Sequence, residues 1–328
     1  LILPRFKYAR PTTIEEAVRL LCQSDSKAVV VAGGTELFPR LKYRLELPEL
    51  LISLKAIGPD EPLFSPSEGL RVDALSTLSS IARSETIRRT ASLLAESARA
   101  VGSYEIRNMG TIGGNLCQQT RCLYYNQRHD FQFVEPCYKR GGRRCYFLPR
   151  GKSCMAVYMS DTATALLCLE AQLDIKGVRG SRLLNIKELY SGEAIRPLKI
   201  DQHEIITGIK IPADTVGCRG SFKKFSLRGG LEFGAVNLAV LVRMKSDGIT
   251  CEWARIAVGS VHCAPLRAHK AESMLSDQRV SEDLITEVAN VVGEEVKVVE
   301  HHGFSRSYLK ELIKVLSKRA LEETLARG

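Results

Sequence analysis

Half of the ten cysteines in this 328-residue chain fall between positions 117 and 154: Cys117, Cys122, Cys137, Cys145 and Cys154. Clustered thiolates bind soft metals or iron–sulfur clusters. The five are separated by four, fourteen, seven and eight residues, and only Cys117–Cys122 has the close spacing of a zinc-knuckle pair. A four-coordinate site would leave one thiol spare. Spacing favours an iron–sulfur cluster and leaves zinc, or unconnected structural cysteines, open.

Immediately upstream runs a glycine turn, Gly110-Thr111-Ile112-Gly113-Gly114-Asn115-Leu116, and a second one, Gly33-Gly34-Thr35-Glu36-Leu37, lies near the N-terminus. Glycines let a backbone approach a phosphate closely, so N–H groups from both turns could grip one pyrophosphate. Thr35, Thr111 and Asn115 would add side-chain donors. Neither turn has the G-x-G-x-x-G spacing or a Walker lysine, which implies a different nucleotide fold. Turns and thiols together suggest a protein that moves electrons between a nucleotide cofactor and a metal cluster.

No acid–base machinery accompanies them. His129, His203, His262, His269, His301 and His302 are scattered, and the side chains of the adjacent His301-His302 pair diverge. No Ser/His/Asp or Cys/His constellation assembles, so no catalytic residue is assigned. Cys22, Cys168, Cys218, Cys251 and Cys263 lie in or beside apolar runs and read as core.

The elements that must position these groups follow from patterning. Thr13 caps a helix over Ile14–Leu21, with Glu16 completing the capping box. The β-branched run Ala28–Ala32 suits a strand covered on both faces and delivers the first glycine turn, and a further apolar run follows at Leu50–Leu54. Strand, glycine turn and helix in that order often bind phosphate. A second unit begins near Leu70, with helical patterns at Leu78–Ala82 and Ile87–Val101. Ala163–Ile175 is core-like, and Glu204–Pro212 alternates as a strand. Past a boundary near Asp214–Gly220, strands at Phe222–Leu227, Ala235–Met244 and Trp253–Val261 precede helices at Leu266–Leu275, Leu284–Val292 and Ser307–Ala326, an α+β order.

The cysteine segment interrupts this pattern like an insertion. Between Cys117 and Tyr158 eight basic residues (Arg121, Arg128, Lys139, Arg140, Arg143, Arg144, Arg150, Lys152) face two acidic ones, Asp130 and Glu135. Its net +6 is over half of the chain's +10. Such charge fits a solvated surface, an acidic protein partner, or compensation of an anionic cluster. Composition is otherwise that of an ordinary globular protein, with no apolar run long enough to span a membrane. The start, Leu1–Phe6, lacks a signal-peptide core and an initiator Met, so the expectation is a trimmed, cytoplasmic protein. Neither nucleic acid nor membrane is expected as a partner.

Ala32-Gly33-Gly34-Thr35 after a valine-rich strand, and Ile106-Arg107-Asn108-Met109 leading into Gly110–Leu116, resemble the FAD-binding medium subunit of the molybdenum hydroxylases. Ser160-Asp161-Thr162-Ala163-Thr164-Ala165-Leu166 is similar to that family's Asp-containing flavin contact, without the proline often found there. Ser307-Tyr308 through Lys318-Arg319-Ala320-Leu321 is similar to its terminal helix. The ordered set spans essentially the whole chain. It implies a mixed α/β (α+β) fold: a two-part FAD-binding domain of the CO-dehydrogenase flavoprotein type plus a C-terminal α+β domain. The divisions expected are 1–55, 56–216 with an iron–sulfur insertion at about 117–158, and 217–328.

Asn115-Leu116-Cys117-Gln118-Gln119-Thr120-Arg121-Cys122, followed by Tyr125-Asn126-Gln127, further resembles the β subunit of the 4-hydroxybenzoyl-CoA reductase branch, whose insertion carries a 4Fe–4S cluster. The resemblance implies Cys122, Cys137, Cys145 and Cys154 as ligands and Cys117 as the spare. It implies that Val30, Val31, Ala32, Gly33, Gly34, Thr35 and Glu36, with Gly110, Thr111, Ile112, Gly113, Gly114 and Asn115, wrap the FAD pyrophosphate. Asp161 would bond the ribityl or adenosine portion, Ile206 would pack near the isoalloxazine, and Lys224 would contact the flavin, with Lys223 an equal neighbour. Molybdopterin and 2Fe–2S centres are implied on a large and a small partner subunit, in a dimer of heterotrimers served by ferredoxin. The alternatives are the FAD subunit of an oxidising molybdenum hydroxylase for another aromatic or N-heterocycle, and a non-catalytic zinc-binding scaffold.

Overall fold

A computed structural model describes residues 2–24, 27–127, 135–229 and 232–326. Three sheets organise them. The first is parallel, with Leu50–Ser53 between Lys7–Ala9 and Ala28–Val31. Its helix Ile14–Gln23 forms as its sequence dictates. The Thr13 hydroxyl accepts from the Glu16 N–H, the Glu16 carboxylate accepts from the Thr12 N–H at 3.0 Å, and Ala17, Val18 and Leu21 are buried.

The second sheet is antiparallel, in the order Leu63–Ser65, Gly69–Asp73, Ile205–Ile211, Gln172–Gly177, Gly180–Asn185. Short helices lie beside it. The pattern over Ile87–Val101 resolves into two of them, Glu85–Thr90 and Ser92–Arg99, because Ala91 between them leaves helical geometry at φ −146°, ψ 58°. The third sheet orders Leu266–Arg267, Thr250–Gly259, Val236–Met244 and Arg219–Phe225, with Gln278–Arg279 also pairing with Thr250–Gly259. Leu266 and Arg267 are thus a short strand, and the helix expected there starts at His269. Helices Arg306–Ala326 and His269–Leu275 pack on this sheet, and Glu282–Glu295 packs against both helices, with Val288, Val292, Leu309, Ile313 and Leu321 in the shared core.

One helix joins the parts. Asp161–Cys168 is buried along its whole length, between Ser92–Arg99 on one side and the strands Val236–Met244 and Thr250–Gly259 on the other. Ser160 caps it by accepting from the Ala163 N–H at 3.2 Å. Full burial of a side chain such as Leu166 contributes about 1.5–3 kcal/mol, which fixes Asp161 at the N-terminal end of a rigid element.

The cysteine segment leaves and rejoins this framework at one point. Arg121 and Val157 exchange backbone bonds, N–H to O, of 2.6 and 3.0 Å. Between them the described residues carry one short 3-10 turn, Tyr138–Arg140, and no strand. Arg128, His129 and Asp130 lie outside the described residues. Among the described residues no helix is long and apolar enough to cross a membrane.

Candidate functional site

A cleft of about 630 Å³ opens where the two glycine turns meet, a volume within the range of cofactor sites. A Cβ on Gly33 would stand 1.9 Å from the Met109 carbonyl oxygen and 2.9 Å from the Gly110 Cα, so the turns touch backbone to backbone. Gly34 adopts a left-handed φ of +75°, open to glycine at little cost. The N–H groups of Gly33, Gly34 and Thr35 have no acceptor among the described residues, which leaves a row of donors of the kind that cradles phosphate.

The second turn is more structured than its sequence suggests. Ile112–Leu116 is a short helix capped by Thr111, whose hydroxyl accepts from the Gly114 N–H at 3.1 Å. The Asn115 side-chain oxygen accepts from the hydroxyls of Ser160 at 2.6 Å and Thr162 at 2.7 Å. That pair of bonds ties the turn to the start of the Asp161 helix.

Of the residues assigned to the nucleotide, Val30, Val31, Ala32, Gly33, Gly34, Thr35, Glu36, Gly110, Thr111, Gly114, Asn115, Asp161 and Lys224 line this cleft. Three do not. Ile112 is fully buried in the main core, Gly113 packs its Cα against Ala74, and Ile206 lies in the strand Ile205–Ile211 with its side chain in that core. The Ile206 side chain packs beneath the second sheet, away from the residues that line the cleft.

Asp161 and Lys224, 63 positions apart, form a buried ion pair of 2.7 Å. Lys224 also donates to the Ala100 carbonyl at 2.9 Å, and Asn237 donates to the second Asp161 oxygen at 2.8 Å. Burial pushes the Asp161 carboxyl up from its ordinary value, against the pull of Lys224 and Asn237. Neighbouring strand residues point to opposite faces. Lys223 accordingly leaves the cleft and pairs with Glu323.

Sequence reasoning missed the opposite wall. Arg121 pairs with Glu36, and its guanidinium carbon lies 4.6 Å from the centre of the Phe233 ring. Arg40, Arg228 and Glu232 also line the cleft. No short motif announces these positions; they converge only on folding. Glu36 Oε1 and Arg121 Nε are buried without a partner among the described residues, and buried polar atoms of this kind call for one. Free backbone donors, orphaned polar atoms and cleft volume all fit a dinucleotide.

Cys122, Cys137, Cys145 and Cys154 line a second, small cavity together with Tyr124, Tyr125, Lys139, Phe147 and Met155. Cys137 and Cys145 are buried, Cys122 and Cys154 half-buried, and all ten cysteines are free thiols. Burial pushes the Cys122 and Cys154 thiols up, while backbone N–H groups oppose the shift. The Leu148 N–H donates to the Cys145 sulfur at 3.3 Å. Yet no group of three or more His, Cys, Asp or Glu among the described residues is set to hold a metal ion. A zinc ion bound at about 2.3 Å needs its four sulfurs about 3.8 Å apart; a cubane cluster spans a wider set of thiols. Four sulfurs lining one apolar pocket are a soft donor set.

Cys117 lies apart from the other four and lines the nucleotide cleft. It is exposed there, but the surrounding protein desolvates its thiol and pushes it up to about 12, so it is held neutral. Of the other five, Cys168, Cys251 and Cys263 are buried, whereas Cys22 and Cys218 are only half-buried. The basic surface also shrinks on folding. Arg121 and Lys139 turn inward, Arg140 is half-buried, and Arg143, Arg144, Arg150 and Lys152 remain exposed.

Residues 4–214 match the family described as the FAD binding domain in molybdopterin dehydrogenase, and residues 220–324 match the CO dehydrogenase flavoprotein C-terminal domain. The chain belongs to this family: it is an FAD-binding subunit of a molybdenum hydroxylase or CO dehydrogenase type of oxidoreductase. It is 24% identical over 322 residues to the glyceraldehyde dehydrogenase medium chain of Sulfolobus acidocaldarius, covering 98% of each chain. It is 29% identical over 286 residues to the FAD-binding subunit of an Escherichia coli aldehyde oxidoreductase, covering 83% of this chain and 86% of that one. A structure of carbon monoxide dehydrogenase from Hydrogenophaga pseudoflava superposes with a TM-score of 0.79 at 25% identity, over 100% of this chain and 99% of that one.

Proposed function

We propose that this chain is the flavin and iron–sulfur subunit of a complex resembling 4-hydroxybenzoyl-CoA reductase. Electrons would run from reduced ferredoxin through a 4Fe–4S cluster and FAD towards 2Fe–2S and molybdenum on partner subunits, for reductive dehydroxylation of an aromatic CoA thioester. The observation that carries this reading is the convergence of Cys122, Cys137, Cys145 and Cys154 on one cavity beside the flavin cleft. The short segment 118–121 forms the wall between them: Gln118 and Arg121 face the cleft, and Cys122 faces the thiol cavity.

When bound, FAD exchanges electrons singly or in pairs and the cluster exchanges them singly, which couples a one-electron carrier to a two-electron reaction. The chain's own residues hold and shield. The N–H groups of Gly33, Gly34 and Thr35 bind the pyrophosphate, and Asp161, fixed by Lys224 and Asn237, faces the rest of the cofactor. Glu36 and Arg121 close the wall between the cavities. The four cysteines hold the cluster as thiolates, and Cys117 stays a neutral thiol in the flavin cleft. The division into 1–55, 56–216 and 217–328 belongs to this reading and is supported by the three separate sheets.

Large molybdopterin and small 2Fe–2S subunits, in a dimer of heterotrimers in the cytoplasm, complete the assembly. Ferredoxins are typically acidic, and Arg143, Arg144, Arg150 and Lys152 supply an exposed basic face for one. A second reading, electrons running outward in an oxidising hydroxylase, is favoured by relatives such as the nicotinate dehydrogenase FAD-subunit of Eubacterium barkeri. Redox titration separates the two, since inward flow requires a cluster potential at or below that of the flavin. The primary test is metal and flavin analysis of the anaerobically purified complex. About four irons on this subunit, lost in Cys137→Ser and kept in Cys117→Ser, support the cluster; zinc in place of iron refutes it.

A further inference from the structure

A lysine stands in the wall between the two cavities. The Lys139 ammonium donates to the side-chain oxygen of Gln119 at 3.2 Å, to the Thr120 hydroxyl, and to the Ala194 carbonyl at 2.7 Å. The Tyr125 ring centre is 5.0 Å away. All these partners are neutral, and no carboxylate among the described residues forms an ion pair with the group. Thr120 is fully buried, and its hydroxyl also donates to Ala194 at 2.7 Å, so the acceptors are themselves fixed. The side chain meanwhile lines the cavity of Cys122, Cys137, Cys145 and Cys154.

A cation withdrawn from water and held by neutral dipoles is costly unless an anion lies near. The anionic candidates at hand are the thiolates of the four cysteines whose cavity Lys139 lines. A cluster ligated by four thiolates is anionic and gains one further negative charge on reduction. We infer that Lys139 is the internal counter-cation of the four-cysteine site, a positioning residue that favours the reduced cluster and fixes the wall it shares with the flavin cleft. The inference rests on the cluster reading above. In the step it would favour, the bound cluster would take one electron from a reduced one-electron carrier, with no covalent bond changed.

The same position could act only as a brace, linking the turn Tyr138–Arg140 to Thr120 and Ala194. The anaerobically purified complex separates charge from shape through Lys139→Met, Lys139→Gln and Lys139→Arg, each followed by iron analysis and an EPR-monitored redox titration. The neutral variants are expected to keep iron and to disfavour cluster reduction at least tenfold, a midpoint lower by about 59 mV for a one-electron couple. Lys139→Arg is expected to stay within threefold of the wild type. Loss of the cluster from both neutral variants with retention in Lys139→Arg also supports the inference. It is overturned by neutral variants that keep iron at an unmoved midpoint, by an arginine variant that shifts as far as Met, or by loss of iron from all three. Absence of iron from the wild-type complex is a different failure: it overturns the cluster reading itself, before any variant is compared.

Discussion

Gly33→Ala tests the joint between the two glycine turns. The new methyl would sit 1.9 Å from the Met109 carbonyl oxygen, 2.7 Å from its carbon and 2.9 Å from the Gly110 Cα. All three are backbone atoms, so no side chain can rotate away. Restoring a contact of 3.0 Å requires the turns to separate by roughly 1.1 Å, a displacement that breaks a phosphate hydrogen bond set for about 2.9 Å. A hydrogen bond to a charged group contributes about 1.5–3 kcal/mol, so loss of one weakens FAD binding about 10- to 150-fold. Flavin affinity is measured by fluorescence quenching on deflavinated complex, with the thermal midpoint recorded on the same samples. Gly58→Ala is the control: a methyl there has nothing within 4 Å, and it should bind FAD within twofold of wild type. The reasoning fails if Gly33→Ala also binds within threefold, because the contact between the turns would then not set the cleft.

Asp161→Asn leaves the buried Lys224 ammonium without its counter-charge and should cost about 3–5 kcal/mol in denaturant unfolding, whereas pairing it with Lys224→Met should recover much of that loss. The Glu204 carboxyl is held below its ordinary value chiefly by the two bonds from Arg182, of 2.7 and 2.8 Å. A depressed carboxylate stabilises the fold above its unfolded value of 4.5 and loses that contribution as pH falls through the folded value. Because the pair is partly exposed, Arg182→Gln should cost only about 0.5–1 kcal/mol near neutral pH and nothing once both forms are protonated, as urea melts across pH would report. Neutralising Arg143, Arg144, Arg150 and Lys152 together should slow electron entry from ferredoxin and flatten its salt dependence in stopped-flow traces; an unchanged rate and slope would end the docking proposal. Thiol alkylation at pH 7 should spare Cys117 in the folded, flavin-loaded complex, since its thiol is held neutral with a value of about 12; mass spectrometry showing rapid modification there would contradict that.

Local signals carried much of this molecule. The capping box at Thr13, the valine run before Gly33, the alternation over Glu204–Pro212 and the order of strands and helices after Gly220 are nearest-neighbour properties, and each formed close to where its pattern lies. Local pattern failed where tertiary packing decides. Ala91 breaks one expected helix into two, and Ile112–Leu116 in the second glycine turn closes into a helix capped by Thr111. The lysine facing the cleft was undecided between Lys223 and Lys224 until strand register placed one on each face.

The two glycine turns were legible as one nucleotide cleft because glycine, capping and strand signals are written in consecutive residues, and Gly33, Gly34, Thr35, Gly110, Thr111, Gly114 and Asn115 line that cleft. Only the tertiary structure brought Arg121 to Glu36, Lys224 to Asp161, and four dispersed cysteines to one cavity with Lys139 in its wall. Such contacts join positions tens of residues apart, and long-range packing and charge pairing leave no trace in spacing along the chain.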